Sequence, residues 1–345
     1  MNKYVVITTI NKPTEGIKRF IDSDFKVVIV GDQKTPSDYR DLDVVFLDVG
    51  TQKNMYPQLH DIIPFNHYSR KNLGYIYAAS EGADMILDTD DDNIFNIDSL
   101  FSTLDSEVKA TLVNSKTKWA NVYSLFSDSI VWPRGLPLDE IHSNQMVTGK
   151  TINRFCPIQQ YLVDNDPDVD AVFRLVFKDK SIVFHKDKDD VILTKGTWCP
   201  FNSQATIFFR NAFPLLYLPT SVTSRITDIW RSFVAQAVLW EHDYEVAFRK
   251  PIARQERNPH DLLNDFNEEF SGFVQNKDLI ELLESSSFGP DVSTSLADTA
   301  LHYLSVMINK SFLDEIEKPV ARLWHKMLRE NVLDSRVIES EEYSR

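Results

Sequence analysis

Cysteine is scarce in this chain. The two residues present, Cys156 and Cys199, each stand before a proline and cannot make a disulfide framework; they read as buried free thiols. No apolar run approaches the ~20 residues of a membrane helix, so no transmembrane segment is expected. The N-terminus, Met1-Asn2-Lys3-Tyr4-Val5-Val6-Ile7, runs directly into a strand pattern and lacks the form of a signal peptide, which makes cytoplasmic the expected location. Net positive charge is missing too. Lys and Arg number 37 against 51 Asp and Glu, a formal charge of −14. So acidic a surface argues against nonspecific binding to nucleic acid or anionic membrane. It leaves room for phosphorylated small molecules, which need only a local cationic site. There is no internal repeat. What is plentiful is core material: 43% of the 345 residues are hydrophobic, enough for one large domain or one domain with an extension.

The first hundred residues alternate between two periodicities. Residues 4–9, 26–30, 44–47 and 85–87 are apolar, β-branched runs and predict buried strands. Residues 13–21, with Thr14 as a candidate cap, and 67–80, stopped by Gly82, predict helices. This alternation predicts a mostly parallel α/β sheet, in which ligands bind at the carboxyl ends of strands. Residues 105–220 read as less regular, with loops at Trp132-Pro133-Arg134-Gly135-Leu136-Pro137 and Asp164-Asn165-Asp166-Pro167-Asp168. Residues 226–241 have helical spacing. After residue 260 the strand patterns stop, and 261–284, 296–310 and 312–330 read as helices. The expected division is a nucleotide-binding domain over 1–260 and a helical extension over 261–345.

The run Asp88-Thr89-Asp90-Asp91-Asp92, followed by Asn93, is the most informative feature of the sequence. Four carboxylates in five positions repel one another unless a cation lies between them. Placed where a buried strand gives way to a loop, they suit a hard divalent ion and the phosphates it carries. The bland alternative is a solvated acidic loop that caps the next helix. An EF-hand does not fit, since neither its sixth-position glycine nor its later glutamate is present.

Other residues join this run as candidates. Arg70 and Lys71 head a predicted helix and could neutralise a diphosphate leaving group, unless they only solvate that helix. Asp32 closes the second strand and could accept a hydrogen bond from a base or ribose, although Gly31-Asp32 also suits a simple turn. Asp228 starts a helix between Arg225 and Arg231; it could be a general base or an ordinary helix acid paired with arginine. His260 is a candidate metal ligand, with a structural role as the alternative. Trp132, Arg134 and Trp198 could form a sugar platform, against core packing for the tryptophans.

Together these blocks resemble the STELLO glycosyltransferase-like proteins and, more distantly, the reversibly glycosylated polypeptides, which are UDP-arabinopyranose mutases. The resemblance spans roughly residues 4–265. It is carried by Val6-Ile7-Thr8-Thr9-Ile10-Asn11, Val30-Gly31-Asp32, Arg70-Lys71-Asn72-Leu73-Gly74-Tyr75 and Thr89-Asp90-Asp91-Asp92-Asn93. It continues through Trp132-Pro133-Arg134-Gly135, Asp166-Pro167-Asp168, Pro200-Phe201-Asn202-Ser203-Gln204, Arg225 to Arg231 and Gln255 to His260. The C-terminal helices fall outside it.

The resemblance implies a GT-A-like (Rossmann-like) nucleotide-sugar-binding sheet with a helical C-terminal extension. It implies a UDP-sugar donor, a saccharide or other hydroxyl acceptor, and Mn²⁺ or Mg²⁺. Thr8, Thr9, Asn11 and Asp32 would hold the base; Arg70, Lys71 and Asn72 would reach ribose or diphosphate. Asp90, Asp92 and His260 would bind the metal. Asp88 would touch ribose or hold the loop, and Asp91 would face the sugar. Asp228, Arg225, Arg231 and Arg134 would be catalytic, with Arg134 at the position that becomes glycosylated in the mutases. Trp132, Asn202 and Gln204 would contact sugar or acceptor. Plant STELLO proteins carry a membrane anchor, for which this sequence shows no counterpart. The expected function is metal-dependent glycosyl transfer; the alternatives are a nucleotide-sugar mutase and a non-catalytic partner module. The sequence leaves the oligomeric state open.

Overall fold

The computed structural model describes residues 1–143, 145–178, 180–258, 261–288 and 294–342. Its first half follows the predicted alternation: β1 (Lys3–Thr9), α1 (Glu15–Ile21), β2 (Lys26–Gly31), β3 (Val45–Leu47), α2 (Val49–Met55), α3 (Pro57–Ile62), α4 (Lys71–Ser80) and β4 (Met85–Thr89). Thr14 caps α1 as predicted, its hydroxyl accepting from the Ile17 amide at 3.3 Å. The helix predicted over 67–80 opens with a 3₁₀ turn at Tyr68–Arg70, where the His67 ring accepts from the Ser69 amide, and only then becomes α4. Gly74 lets α4 lie close on the sheet: a Cβ there would come within 2.5 Å of Val30 and 2.6 Å of Val6.

The chain continues as β5 (Asn93–Phe95), α5 (Ile97–Phe101), β6 (Glu107–Ser115), β7 (Met146–Phe155), β8 (Ile158–Asp164), α6 (Ala171–Val176), β9 (Val191–Leu193), β10 (Ala205–Phe209), α7 (Thr227–Glu241) and β11 (Val246–Gln255). Residues 105–220, read from sequence as loop-rich, therefore contribute β6 to β10. Their signal is weak for physical reasons. β7 is mostly exposed, β9 has three residues, and β8 buries the polar Gln159 and Gln160. Last come α8 (Leu262–Ser285), α9 (Leu296–Asn309) and α10 (Glu317–Glu342). The helix predicted from residue 312 starts later because Ser311 takes a positive φ of 61° and the chain turns before Glu317.

The main path of the sheet runs β3-β2-β1-β4-β10-β8-β11-β9-β6-β7, with β5 paired to β11. The fold is α/β. β3, β2, β1 and β4 are parallel, as the alternation predicts. β10 is antiparallel to both β4 and β8, and β11 is parallel to β8. Two reversals restore direction, so β1, β2, β4, β8 and β11 all end at one edge of the sheet. β10 starts from that same edge.

The C-terminal helices share one hydrophobic core with the sheet: Leu279, Ile280, Leu283, Tyr303, Leu304 and Trp324 pack in the same cluster as Leu73, Ile76 and Ile86. Polar anchors reinforce this. Glu317, fully buried, accepts from the Tyr217 hydroxyl, from Thr220 through its amide and hydroxyl, and from the Ser221 amide. The Trp324 indole donates to the Asn72 carbonyl at 2.9 Å. Among the described residues no helix is long and apolar enough to cross a membrane. Both cysteines are buried and free, and burial pushes each thiol up to about 12.

Candidate active site

A cavity of about 500 Å³ opens at the edge where those five strands end. Thr8, Thr9 and Asn11 reach it from the end of β1, and Asp32 and Lys34 from the end of β2. Asp90, Asp91 and Asp92 follow β4; Asp168 follows β8; Gln204 precedes β10; Gln255, Arg257 and Asn258 close β11. Strand ends collect these residues because each chain leaving the sheet turns there and exposes polar groups.

The acid run divides into tiers. Asp88 lies inside β4, fully buried, rather than in the loop. Lys71 Nζ sits 2.6 Å from one of its oxygens, and the Tyr75 hydroxyl donates to that oxygen at 2.8 Å. Arg231 donates to the other at 2.8 Å. Asp90 is half-buried above it. The Tyr68 hydroxyl donates to Asp90, and Lys71 Nζ, which itself donates to Tyr68 at 2.9 Å, stands 3.8 Å away. Burial pushes the Asp90 carboxyl up to about 7; Lys71 opposes the shift and Asp92 adds to it. Asp92 is also raised, again by burial first, against a donor in Gln255. Gln255 Nε2 donates to both Asp92 oxygens at 3.0 Å, while Gln204 Nε2 donates to Gln255 Oε1 at 3.0 Å and fixes its amide. Asp91 turns the other way: Thr9 and Asn11 donate to one oxygen and Asn258 to the other.

Two of the predicted metal ligands, Asp90 and Asp92, thus share the cavity. Their oxygens suit a hard divalent ion that keeps water or phosphate oxygens in its remaining positions, and a bound cation would offset the burial that raises both carboxyls. Among the described residues, no group of three or more His, Cys, Asp or Glu side chains could hold a metal ion. His260, the predicted third ligand, lies outside the described residues.

Several predicted contacts prove to be framework. Arg70, expected at ribose or diphosphate, is fully buried, donating to Gln52 and to the Ile63 carbonyl. Asn72 clamps the Leu218 backbone through both ends of its amide. Lys71 and Arg231 lie beneath the cavity, held by Asp88. The Trp132 indole donates to Asp170 at 2.6 Å, and its ring packs edge-on to Phe173 in the core. Trp198 is core as well. Asn202 is buried and caps the Gln204 amide. The Asp32 oxygens accept from the Gln33 and Asn66 amides at 2.6 and 2.7 Å, so it braces the cavity rim.

Arg134 is held on all sides. It forks onto Asp168 (2.8 and 2.8 Å) and Asp228 (3.0 and 2.8 Å), and donates once more to the Arg225 carbonyl. Those contacts use all five guanidinium donors. Gly135 beside it has φ 90°, and a Cβ there would meet Ile229 at 2.5 Å. Burial would raise the Asp228 carboxyl, but Arg134 outweighs it and holds the group below its ordinary value. An acid clamped and depressed in this way is poorly suited to be the general base expected of it, and well suited to positioning. Arg225 lines the cavity and is anchored on Glu269.

Sequence reasoning gives no signal for Tyr68 or Arg174, and Asp168, Gln255 and Arg257 lie in the resembling blocks without a role of their own. Their partners lie far along the chain, as with Gln255 and Asp92, so local spacing carries no signal of the contact.

Residues 225–343 match the family model for STELLO glycosyltransferases. The match runs through the C-terminal helices, which the sequence reading had placed outside the resemblance. Two Arabidopsis thaliana proteins, probable glycosyltransferases STELLO1 and STELLO2, are 32% and 30% identical to the chain over 73% of its length. The matched region spans only 35% of each of those proteins. Glucosyl-3-phosphoglycerate synthase from Mycobacterium tuberculosis, solved with phosphoglyceric acid, aligns over 84% of this chain and 81% of its own. At 10% identity and a TM-score of 0.34, that likeness carries no argument. The chain is thus homologous over the matched region to the two Arabidopsis STELLO proteins, and its residues 225–343 match the STELLO glycosyltransferase family model.

Proposed function

We propose that this chain is a metal-dependent glycosyltransferase that takes a nucleotide-sugar donor, of UDP type, and passes the sugar to a hydroxyl acceptor. The observation that carries this reading is the pair Asp90 and Asp92, brought by the tip of β4 into a cavity that also takes in the ends of β1 and β2. Homology to the STELLO proteins supports it. Asp90 and Asp92 would hold Mn²⁺ or Mg²⁺, which when bound neutralises charge on a departing diphosphate. Thr8, Thr9 and Asn11 form the nucleoside side of the cavity, with Asp32 bracing its rim. Gln255 keeps Asp92 oriented, and the Tyr68–Lys71 pair holds Asp90. In the transfer, the bond from the anomeric carbon to the diphosphate oxygen breaks and its electron pair leaves with the diphosphate. The acceptor hydroxyl oxygen bonds that carbon. With Asp228 clamped by Arg134, the hydroxyl proton passes to a leaving phosphate oxygen, a route that favours retention at the anomeric carbon.

Calorimetry with UDP tests the site. We expect Mn²⁺-dependent binding by the wild-type chain and none by Asp92→Asn. Undiminished binding by that variant would reject the metal assignment. The mutase alternative asks Arg134 to accept a sugar, yet its donors are all committed and its pKa is raised by Asp168 and Asp228 against the effect of burial. UDP-sugars incubated without acceptor should show no ring isomerisation by NMR. Failure to bind any nucleotide or metal would favour a non-catalytic partner role.

A further inference from the structure

Three arginines line the cavity: Arg174 on α6 and Arg257 after β11, which leave the sheet beyond β4 from the nucleoside end, and Arg225 ahead of α7. Each is anchored from behind by a carboxylate that is not part of the lining. Arg174 donates to Asp166 and to the Pro167 carbonyl. Arg225 donates to Glu269 through Nε and Nη2. Arg257 donates to Asp265 through Nη2 at 2.8 Å. Among the described residues, Arg174 Nε is buried without a hydrogen-bond partner. No described group accepts from Arg225 Nη1 or from Arg257 Nε and Nη1. The three side chains are only 11–17% exposed, so solvent replaces little of what they lack. Burial lowers the Arg257 guanidinium to about 10, and repulsion from Arg174 and Arg225 adds to the shift.

This differs from Arg134 and Arg231. Arg134 is saturated by protein, and Arg231 lies below the cavity on Asp88. Guanidiniums held close together with unspent, half-desolvated N–H groups form a receptor for a compact dianion, because a forked donor matches phosphate oxygens. The donor diphosphate cannot be that anion if it sits at Asp90 and Asp92 with its nucleoside on β1 and β2. In sheet order, β8 and β11 leave on the far side of β4. A hydrogen-bond chain spans the gap: Asp92 to Gln255, Gln255 to Gln204, and Gln204 to the Asp168 amide, in the loop that anchors Arg174.

We propose that Arg174, Arg225 and Arg257 bind a phosphate group carried by the acceptor, so that the sugar is transferred to a hydroxyl of a phosphorylated small molecule. The phosphate is held and not transferred. This inference rests on the reading of the acid cluster as the donor site.

The test uses the full chain saturated with UDP and Mg²⁺ and titrated calorimetrically with methyl phosphate or acetate. Methyl phosphate should bind and acetate should bind more weakly. Arg174→Gln should weaken methyl phosphate at least about tenfold, the loss of a charge-assisted contact, and leave UDP affinity unchanged. Arg174→Lys, which keeps charge without the fork, should fall between. If Arg174→Gln does not fold, Arg257→Gln serves the same purpose. Bound UDP with no methyl phosphate binding would overturn the inference and leave the donor reading standing. Equal weakening of UDP and methyl phosphate would assign the arginines to the donor and also overturn it, as would acetate binding as tightly as methyl phosphate. Arginine-dependent methyl phosphate binding without any UDP binding would uphold the anion site and remove the donor reading.

Discussion

Asp88 and Asp92 are four residues apart and chemically identical, yet they do opposite work. Asp88 is closed off from solvent and meets two cations and a tyrosine. Asp92 meets an amide and other acids, and its proton is held more tightly than usual. Arg231 and Lys71 both close on the lowest member of the acid run, and Lys71 reaches Asp90 only at 3.8 Å. A protein that satisfied all four acids would have no use for a metal. One that satisfied none would hardly fold. The division between foundation and site falls within a single turn of chain, and it is set by which carboxylates the helices α4 and α7 can reach.

That division can be broken from below. Asp88→Ala leaves Lys71 and Arg231 buried without their counter-ion and should cost about 3–5 kcal/mol in denaturant unfolding, or prevent folding. From above, Asp92→Asn should leave the unfolding midpoint unchanged or slightly raised, because it removes a carboxylate that repels its neighbours, while abolishing metal-dependent UDP binding. Similar stability losses in the two variants would erase the distinction. Gln255→Leu sharpens it: loss of the orienting amide should lower Mn²⁺ affinity about 10–100-fold with little change in fold. A further test concerns pH. A carboxyl raised in the folded state binds its proton more tightly there than in the unfolded chain. The metal-free protein should therefore lose stability as pH rises from the ordinary carboxylate range towards about 7, and Asp90→Asn should flatten that slope.

The sequence showed the parallel strands of the first hundred residues, the Thr14 cap and the acid run at a strand tip, since each is a local pattern. The same locality misassigned Arg70, Lys71 and Asn72. Adjacent positions at the head of a helix look alike in sequence, but one packs on Gln52, one on Asp88 and one on the Leu218 backbone. Arg134 was singled out correctly as unusual and wrongly as available. Its two carboxylate partners lie 34 and 94 residues away, and only the fold shows that they consume it. The strands between β5 and β11 gave a weaker pattern because β6 and β7 lie at or next to the exposed edge, β9 has three residues and β8 buries two glutamines.

The clamp on Glu317 has a consequence for the order in which the molecule is made. The segment it fastens, Tyr217 to Ser221, leads into the Ser224 and Arg225 that line the cavity, and the fastening residue is synthesised about a hundred positions later. Trp324 closes on Asn72 at a separation of 252 residues. Contacts so distant form late, after the loops between them have closed. A ribosome that has delivered every residue lining the cavity has not yet delivered a finished site. The wall of the cavity that Tyr217–Ser221 leads into is fastened only when α10 docks.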